Sequence, residues 1–304
     1  MKKRALLFSG QGAQAVGMGK DLYDQSKAAR ALYDQAEAAL KFPLKEYSFS
    51  GPEDKLTDTS VCQPALYVHG LALLAAAREQ KSDFDFTAAA GLSLGEYTAH
   101  AAAGSFDFLT GLHLVHHRGR LMQEAASSTK GGMISLIGAT PEQAIEVAKE
   151  AQLEAANFNC PGQVVLSGPL DLISPAVEIA KAKGIRKAIP LKVSGAYHSK
   201  LMISAQNALQ PYLDKAEIKS PRVTVIANFT AKPVSKPDEI RKTLSQQVCG
   251  SVRWEESVRE LIGQGITEFV EFGPGAVLAG LLKRIDGNAV CVTVGDFAAL
   301  QSLA

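Results

Sequence analysis

The chain has 304 residues, 46% hydrophobic and 21% charged, with a formal net charge of +1. That length suits one large domain or two modest ones around a real core. The near-neutral balance excludes any global attraction to nucleic acid or to an anionic membrane. Cys62, Cys160, Cys249 and Cys291 lie far apart and form no C-x-x-C. A disulfide framework or a cysteine zinc site is therefore not expected, and reduced thiols in the cytoplasm are.

Met1-Lys2-Lys3-Arg4 resembles the start of a signal peptide, but the apolar run Ala5–Phe8 is too short for one. No stretch approaches the length expected of a membrane span. Arg4–Phe8 reads instead as a buried first strand. It runs into the glycine-rich turn Ser9–Ala15, which fits the dinucleotide pattern G-x-G-x-x-A. That pattern needs a second strand ending in an acidic residue about 20 positions on. Ser26–Leu40 is helical in pattern instead, which favours a loop of backbone donors at the end of strand one. Gln63-Pro64 followed by Ala65–Glu79 reads as a long buried helix with Pro in its first turn.

Phe86–Gly104 organises the chain. Ala88-Ala89-Ala90 is a short buried strand, Gly91-Leu92-Ser93-Leu94-Gly95 a sharp turn, and Glu96–Ala103 a helix. In a G-x-S-x-G turn the two glycines let the backbone bend tightly enough to lift the serine hydroxyl out of the sheet. The next backbone N–H and the helix N-terminus then favour negative charge at that spot. Ser93 is thus a candidate nucleophile; the alternative is a helix-start serine between packing glycines.

Asp107–Ala126 follows as a helix. Leu114, Arg118, Leu121, Met122 and Ala125 share one face. Arg118 in that apolar stripe needs an anion, either a protein carboxylate or a ligand, because guanidinium keeps its proton and is costly to bury unpaired. His113 and His117 have metal-compatible spacing, but no third ligand accompanies them, and no metal is expected.

Lys130–Val193 has the order β-α-β-β-α-β of a ferredoxin-like unit. Thr140-Pro141-Glu142-Gln143 starts its first helix with a capping box, Asp171–Lys183 is its second helix, and Arg186–Val193 its last strand. The chain then returns to alternating strands and helices. The expected fold is α/β, a mostly parallel sheet with helices on both faces and an α/β-hydrolase-like core, carrying an inserted ferredoxin-like α+β subdomain. Residues 1–128 and 197–304 form the large domain and 129–196 the small one. Ligands bind at the carboxyl ends of such strands, where Ser93, Gln11 and Gly273 fall. His198, in the loop Ser194–Ser199, is the candidate base. No Asp or Glu stands out as a third member.

At this point the motifs carry a family. FSGQGAQAVGMG at 8–19, QPAL at 63–66, GLSLGEY at 91–97, RGRLMQ at 118–123, NFNCPGQVVLSG at 157–168, GAYHS at 195–199, VRW at 252–254 and EFGPGAVLAGLLKRI at 271–285 resemble the malonyl-CoA:acyl carrier protein transacylases of type II fatty acid synthesis. The resemblance implies Ser93 as nucleophile, His198 as base and Arg118 as the clamp for the malonyl carboxylate. It places the oxyanion donors at the backbone N–H groups of Gln11 and Leu94, and the carbonyl that orients His198 at Gln247. Tyr197 implies malonyl over methylmalonyl, since a bulky residue before this histidine goes with malonyl use in related acyltransferases. Leu92 departs from the common G-H-S-L-G, so packing beside Ser93 is expected to differ.

The implied reaction is ping-pong, from malonyl-CoA to the phosphopantetheine thiol of an acyl carrier protein, with no bound cofactor and no nucleic acid or membrane partner. A monomer is expected, with Lys181, Lys183, Arg186, Lys187 and Lys192 as candidates for a basic rim facing the acidic carrier. Three readings compete: the same chemistry serving polyketide synthesis, an α/β serine hydrolase such as a thioesterase, and a dinucleotide-binding module on Gly10–Ala15. A thioesterase gives no reason for Arg118, and the last would bind a nicotinamide or flavin.

Overall fold

The computed structural model describes residues 3–303; Met1 and Lys2 of the signal-like start lie outside the described residues. Ten strands run in chain order: β1 Arg4–Phe8, β2 Ala88–Gly91, β3 Gly131–Ile137, β4 Glu154–Cys160, β5 Gln163–Pro169, β6 Lys187–Pro190, β7 Thr224–Ala227, β8 Lys232–Val234, β9 Glu268–Phe272 and β10 Val290–Val294. They form a six-stranded sheet, β10-β9-β1-β2-β7-β8, and a four-stranded sheet, β4-β5-β3-β6. In the larger sheet only β8 is antiparallel to its neighbour. Strand side chains alternate between faces. Leu6 and Phe8 accordingly join one core, with Tyr67 and Leu73, while Ala5 and Leu7 join another, with Trp254, Leu261 and Leu282. Both faces are covered, as parallel sheets require.

The parallel register sets Phe8 beside Gly91 on one side and Phe272 on the other. The turns after these three residues therefore open at one edge of the sheet. The four-stranded sheet has the ferredoxin-like order, with the helices Pro141–Glu150 and Ile173–Ala182 on one face. The capping box at Thr140 and Gln143 is present. This sheet is joined to the larger body through β4: Phe158 N–H donates to Val252 O at 2.9 Å, and Val252 N–H to Ala156 O at 2.8 Å.

Three expectations are corrected. The helix carrying Pro64 begins earlier, at Thr59, and runs to Gln80. The Asp58 carbonyl accepts from Val61 and Cys62 and starts it, so Pro64 lies inside, where its missing N–H removes one intrahelical bond. This helix has 22 residues, and an 18-residue window within it has a mean hydropathy of 1.4, long and apolar enough to cross a membrane, contrary to expectation. Its most apolar stretch is 83% buried inside the fold, as befits a core helix. Finally, β6 stops at Pro190 rather than Val193. After Leu191 N–H donates to Met133 O, the chain peels away as a lip over the site. The short helices Lys20–Gln25, Leu44–Phe49 and Glu53–Thr57, and the strand β8, were not expected.

The dinucleotide reading of Gly10–Ala15 is excluded by topology. The chain after the turn is helical as far as Gln80, and β2 is the next strand. The turn instead lies against the Ser93 elbow, where a Cβ on Gly10 would meet Leu92 O at 2.4 Å.

Candidate active site

Ser93 sits between β2 and the helix Leu94–Ala102 with φ 54° and ψ −105°, a left-handed conformation that costs free energy for a non-glycine residue. The flanking glycines make it possible. A Cβ on Gly91 would meet Gly95 backbone at 2.0 Å, and one on Gly95 would meet Phe8 O at 2.1 Å. The elbow is also tied down from outside. Ser93 N–H donates to Asn228 Oδ1 at 2.7 Å, and Asn228 Nδ2 donates to Gly91 O at 2.8 Å. Leu92 lines the cavity and packs on the second core beside Leu7 and Ala90.

His198 Nε2 stands 2.8 Å from Ser93 Oγ, and Nδ1 stands 2.8 Å from Gln247 O. A carbonyl only accepts, so Nδ1 carries the proton and Nε2 is left to accept the serine hydroxyl. Burial first, then the Arg118 charge, hold His198 down at about 4, against the opposing pull of the Gln247 carbonyl. The imidazole is therefore neutral at pH 7 and able to take a proton.

Arg118 is 1% exposed. Nη1 donates to Gln63 Oε1 at 2.7 Å, while Nη2 donates to Gln247 Oε1 at 2.8 Å and to Ser93 Oγ at 3.1 Å. Burial lowers its proton affinity from the ordinary guanidinium value. No carboxylate forms an ion pair with it among the described residues. Its acceptors are two neutral amides and the serine hydroxyl, and its guanidinium carbon lies 5.4 Å from the Tyr97 ring centroid. Of the two anions the sequence left open, a protein partner in direct contact is thus not supplied.

Ser93, His198, Arg118, Gln11 and Tyr197 line one cavity of about 470 Å³, closed on its far side by Asn157 and Val165 of the smaller sheet. Gln11 Nε2 donates to Thr59 Oγ1 at 3.1 Å. Leu94 opens the helix after the serine, so its N–H has no intrahelical acceptor. Tyr197 Oη pairs with Thr59 Oγ1 at 2.7 Å and Ser194 Oγ at 2.9 Å. A larger cleft, about 640 Å³, lies at the amino ends of β2 and β7 and holds none of these residues.

Residue chemistry and topology together match a known family. The family profile described as acyl transferase domain covers residues 5–297. The chain is 41% identical over 301 residues to a Bacillus subtilis malonyl CoA-acyl carrier protein transacylase, spanning 97% of this chain and 94% of the relative. The chain belongs to the acyl transferase family. A Staphylococcus aureus malonyl CoA-acyl carrier protein transacylase is 37% identical over 97% of this chain and 96% of its own. Among solved structures, the acyl-carrier-protein-S-malonyltransferase of Bartonella henselae superposes with a TM-score of 0.95 at 36% identity, covering 99% of this chain and 98% of that one. So does a malonyl-transacylase solved with its type II PKS acyl-carrier protein, at 0.95 and 35% identity over 99% and 98%.

The acyl transferase site holds groups that the sequence reading did not single out. Gln63 and the side chain of Gln247 hold Arg118, and Asn228 holds the elbow. Glu96, buried beneath the serine, accepts from Asn228 N–H at 2.9 Å and from Gln247 Nε2 at 2.6 Å. Gln247 Nε2 also donates to Ser93 O at 2.9 Å. Other singled-out residues have partners of their own. His117 stacks on Tyr212 at 3.8 Å between ring centroids. Lys181 pairs with Glu178, and Lys183 with Glu146 and Glu150. Of the five expected basic-rim residues, Lys192 is the one that lines the cavity.

Proposed function

We propose that Ser93, His198 and Arg118 carry out malonyl transfer from coenzyme A to the phosphopantetheine thiol of an acyl carrier protein. One observation carries this reading: Ser93 Oγ is met at once by His198 Nε2 at 2.8 Å and by Arg118 Nη2 at 3.1 Å. A base alone would suit any acyl group. A buried guanidinium at the same oxygen favours an acyl group bearing a carboxylate, which it can hold through two parallel hydrogen bonds.

In the first half-reaction Ser93 Oγ attacks the thioester carbonyl and its proton passes to His198 Nε2. The C–S bond breaks and the proton goes to the coenzyme A sulfur. In the second, the carrier thiol gives its proton to His198 and attacks the malonyl-serine; the C–O bond breaks and the proton returns to Ser93. The proton shuttled by His198 is returned within each half-reaction. The backbone N–H groups of Gln11 and Leu94 hold the developing oxyanion, and the Gln247 carbonyl orients the base. Tyr197 limits volume beside the α-carbon.

No cofactor enters these steps. The carrier protein is the macromolecular partner, and Lys192 at the cavity mouth supports an acidic one. Residues 129–196 act as a small subdomain closing the cavity of a monomeric enzyme, and four free cysteines support a cytoplasmic setting. The same steps serve fatty acid or polyketide synthesis. Intact mass after brief exposure to malonyl-CoA tests the reading: one malonyl group on Ser93, discharged by added carrier protein, is expected. Discharge to water at the same rate without the carrier would favour a hydrolase.

A further inference from the structure

We infer that Glu96 is a positioning residue that balances the charge of Arg118 through Gln247, and that it takes up one proton from solvent when a substrate carboxylate occupies Arg118. This rests on Arg118 being the carboxylate clamp.

Arg118 and Glu96 are both buried, at 1% and 0% exposure, and both contact the same amide. Gln247 Oε1 accepts from Arg118 and Gln247 Nε2 donates to Glu96. A buried permanent cation requires a compensating anion nearby. Glu96 is the carboxylate in reach of Arg118, one amide away. The other titratable groups facing it are His100 and Tyr97 from its own helix. His100 is held neutral by burial, down to about 3, and burial raises the Tyr97 phenol.

Glu96 also fixes which way Gln247 points. Oε2 accepts from Asn228 N–H and Gln247 Nε2, so the amide must turn its oxygen to Arg118. The second carboxylate oxygen, Oε1, is buried with no hydrogen-bond partner, and so is His100 Nε2, 4.0 Å away. A proton can therefore sit on Oε1 without disturbing either bond to Oε2. Once a malonyl carboxylate pairs with Arg118, the Glu96 charge becomes a second anion in the same dry site, and like charges there disfavour ionisation. Burial already pushes Glu96 up to about 7, so it is poised for that exchange.

The test is proton uptake followed with a pH indicator in weak buffer at pH 8, with excess enzyme and limiting malonyl-CoA. The wild-type protein is expected to take up a proton, approaching one per malonylated serine. Acetyl-CoA should cause none. Glu96→Gln, which copies the protonated acid, should be malonylated without uptake. Its kcat/KM for malonyl-CoA should also stay flat above pH 7, where the wild-type value falls up to tenfold per pH unit. Full malonylation of the wild-type protein without uptake overturns the proposal, and this arm does not depend on the variant folding. Equal uptake by Glu96→Gln overturns it too. Failure of the clamp itself reads out differently: Arg118→Ala would then lower malonyl and acetyl transfer in parallel.

Discussion

The backbone carbonyl of Gln247 meets His198 Nδ1 at 2.8 Å, where many serine hydrolases place a carboxylate. A neutral acceptor fixes the ring and its tautomer but adds no negative charge to raise its basicity. His198 is accordingly held down at about 4 by burial and by Arg118. Acylation of Ser93 is expected to be insensitive to acid until about pH 5 and half-maximal near 4, read by quenched-flow mass measurement after a brief pH jump. His198→Ala should lower it by about 10²–10⁴. A titration near the ordinary imidazole value of 6.5 would contradict this.

The same depression predicts acid lability. His69 and His198 are held at about 4 and His100 at about 3, each chiefly by burial. The unfolded chain protonates these groups first, near 6.5. Their contribution to stability is present above 6.5 and is lost as pH falls through about 4. Glu96, raised to about 7, works in the opposite sense, binding its proton more tightly when folded. Three histidines outweigh it. Urea midpoints should therefore drop steadily between pH 6.5 and 4, and a flat or rising midpoint there would refute the account.

The elbow and much of the fold were legible because they are local. Glycine spacing around Ser93, the Thr140 capping box and the alternation of strands with helices all act within a few residues. The residues that hold the site were not. Asn228 reaches Ser93 across 135 positions and Gln247 reaches Glu96 across 151. Amides carry no motif, and their roles arise only when the sheet brings distant turns to one edge. The Gln247 carbonyl was reached through family resemblance alone, since any residue has a carbonyl. Pro64 points to a helix start at Gln63, whereas the helix begins earlier, at Thr59, after Asp58, an N-cap residue type whose side chain makes no capping bond.

Asn228 offers a test of how the elbow is held. Its side chain accepts from Ser93 N–H and donates to Gly91 O. Truncation leaves two backbone groups unpaired, at about 1–3 kcal/mol each, around a strained residue that itself costs about 1–3 kcal/mol. Asn228→Ala should lower Tm by several degrees and slow acylation. Asn228→Asp keeps the acceptor and should lose less. Thermal unfolding and adduct formation together check this; an unchanged Tm would show that the elbow needs no such tie.

Tyr197 is 7% exposed and is held by Thr59 and Ser194. Its volume in the cavity that Ser93 also lines predicts poor use of an α-methyl group. The discrimination is modest, since one methyl is worth about 1–3 kcal/mol. Tyr197→Ser should narrow the gap in kcat/KM between malonyl-CoA and methylmalonyl-CoA. A wild-type enzyme using both equally would remove the argument.

Replacing Arg118 is expected to separate substrate classes. Its guanidinium is buried against Gln63, Gln247 and Ser93, three acceptors without full charge. A malonyl carboxylate would supply an anion in direct contact, which Glu96, one amide away, does not, and an acetyl group would not. Hydrogen bonds to charged groups contribute about 1.5–3 kcal/mol each, so losing two should lower malonyl transfer by 10²-fold or more. Arg118→Ala also removes the buried cation and leaves an apolar slot beside Ser93. Acetyl transfer should then hold steady or rise. Arg118→Lys restores a charge but not the planar pair of donors, so malonyl use should recover only in part. Measuring kcat/KM for malonyl-CoA and acetyl-CoA in all three proteins decides the matter. If both substrates fall together when Arg118 is lost, the guanidinium holds the site together and selectivity for a carboxylated acyl group arises elsewhere.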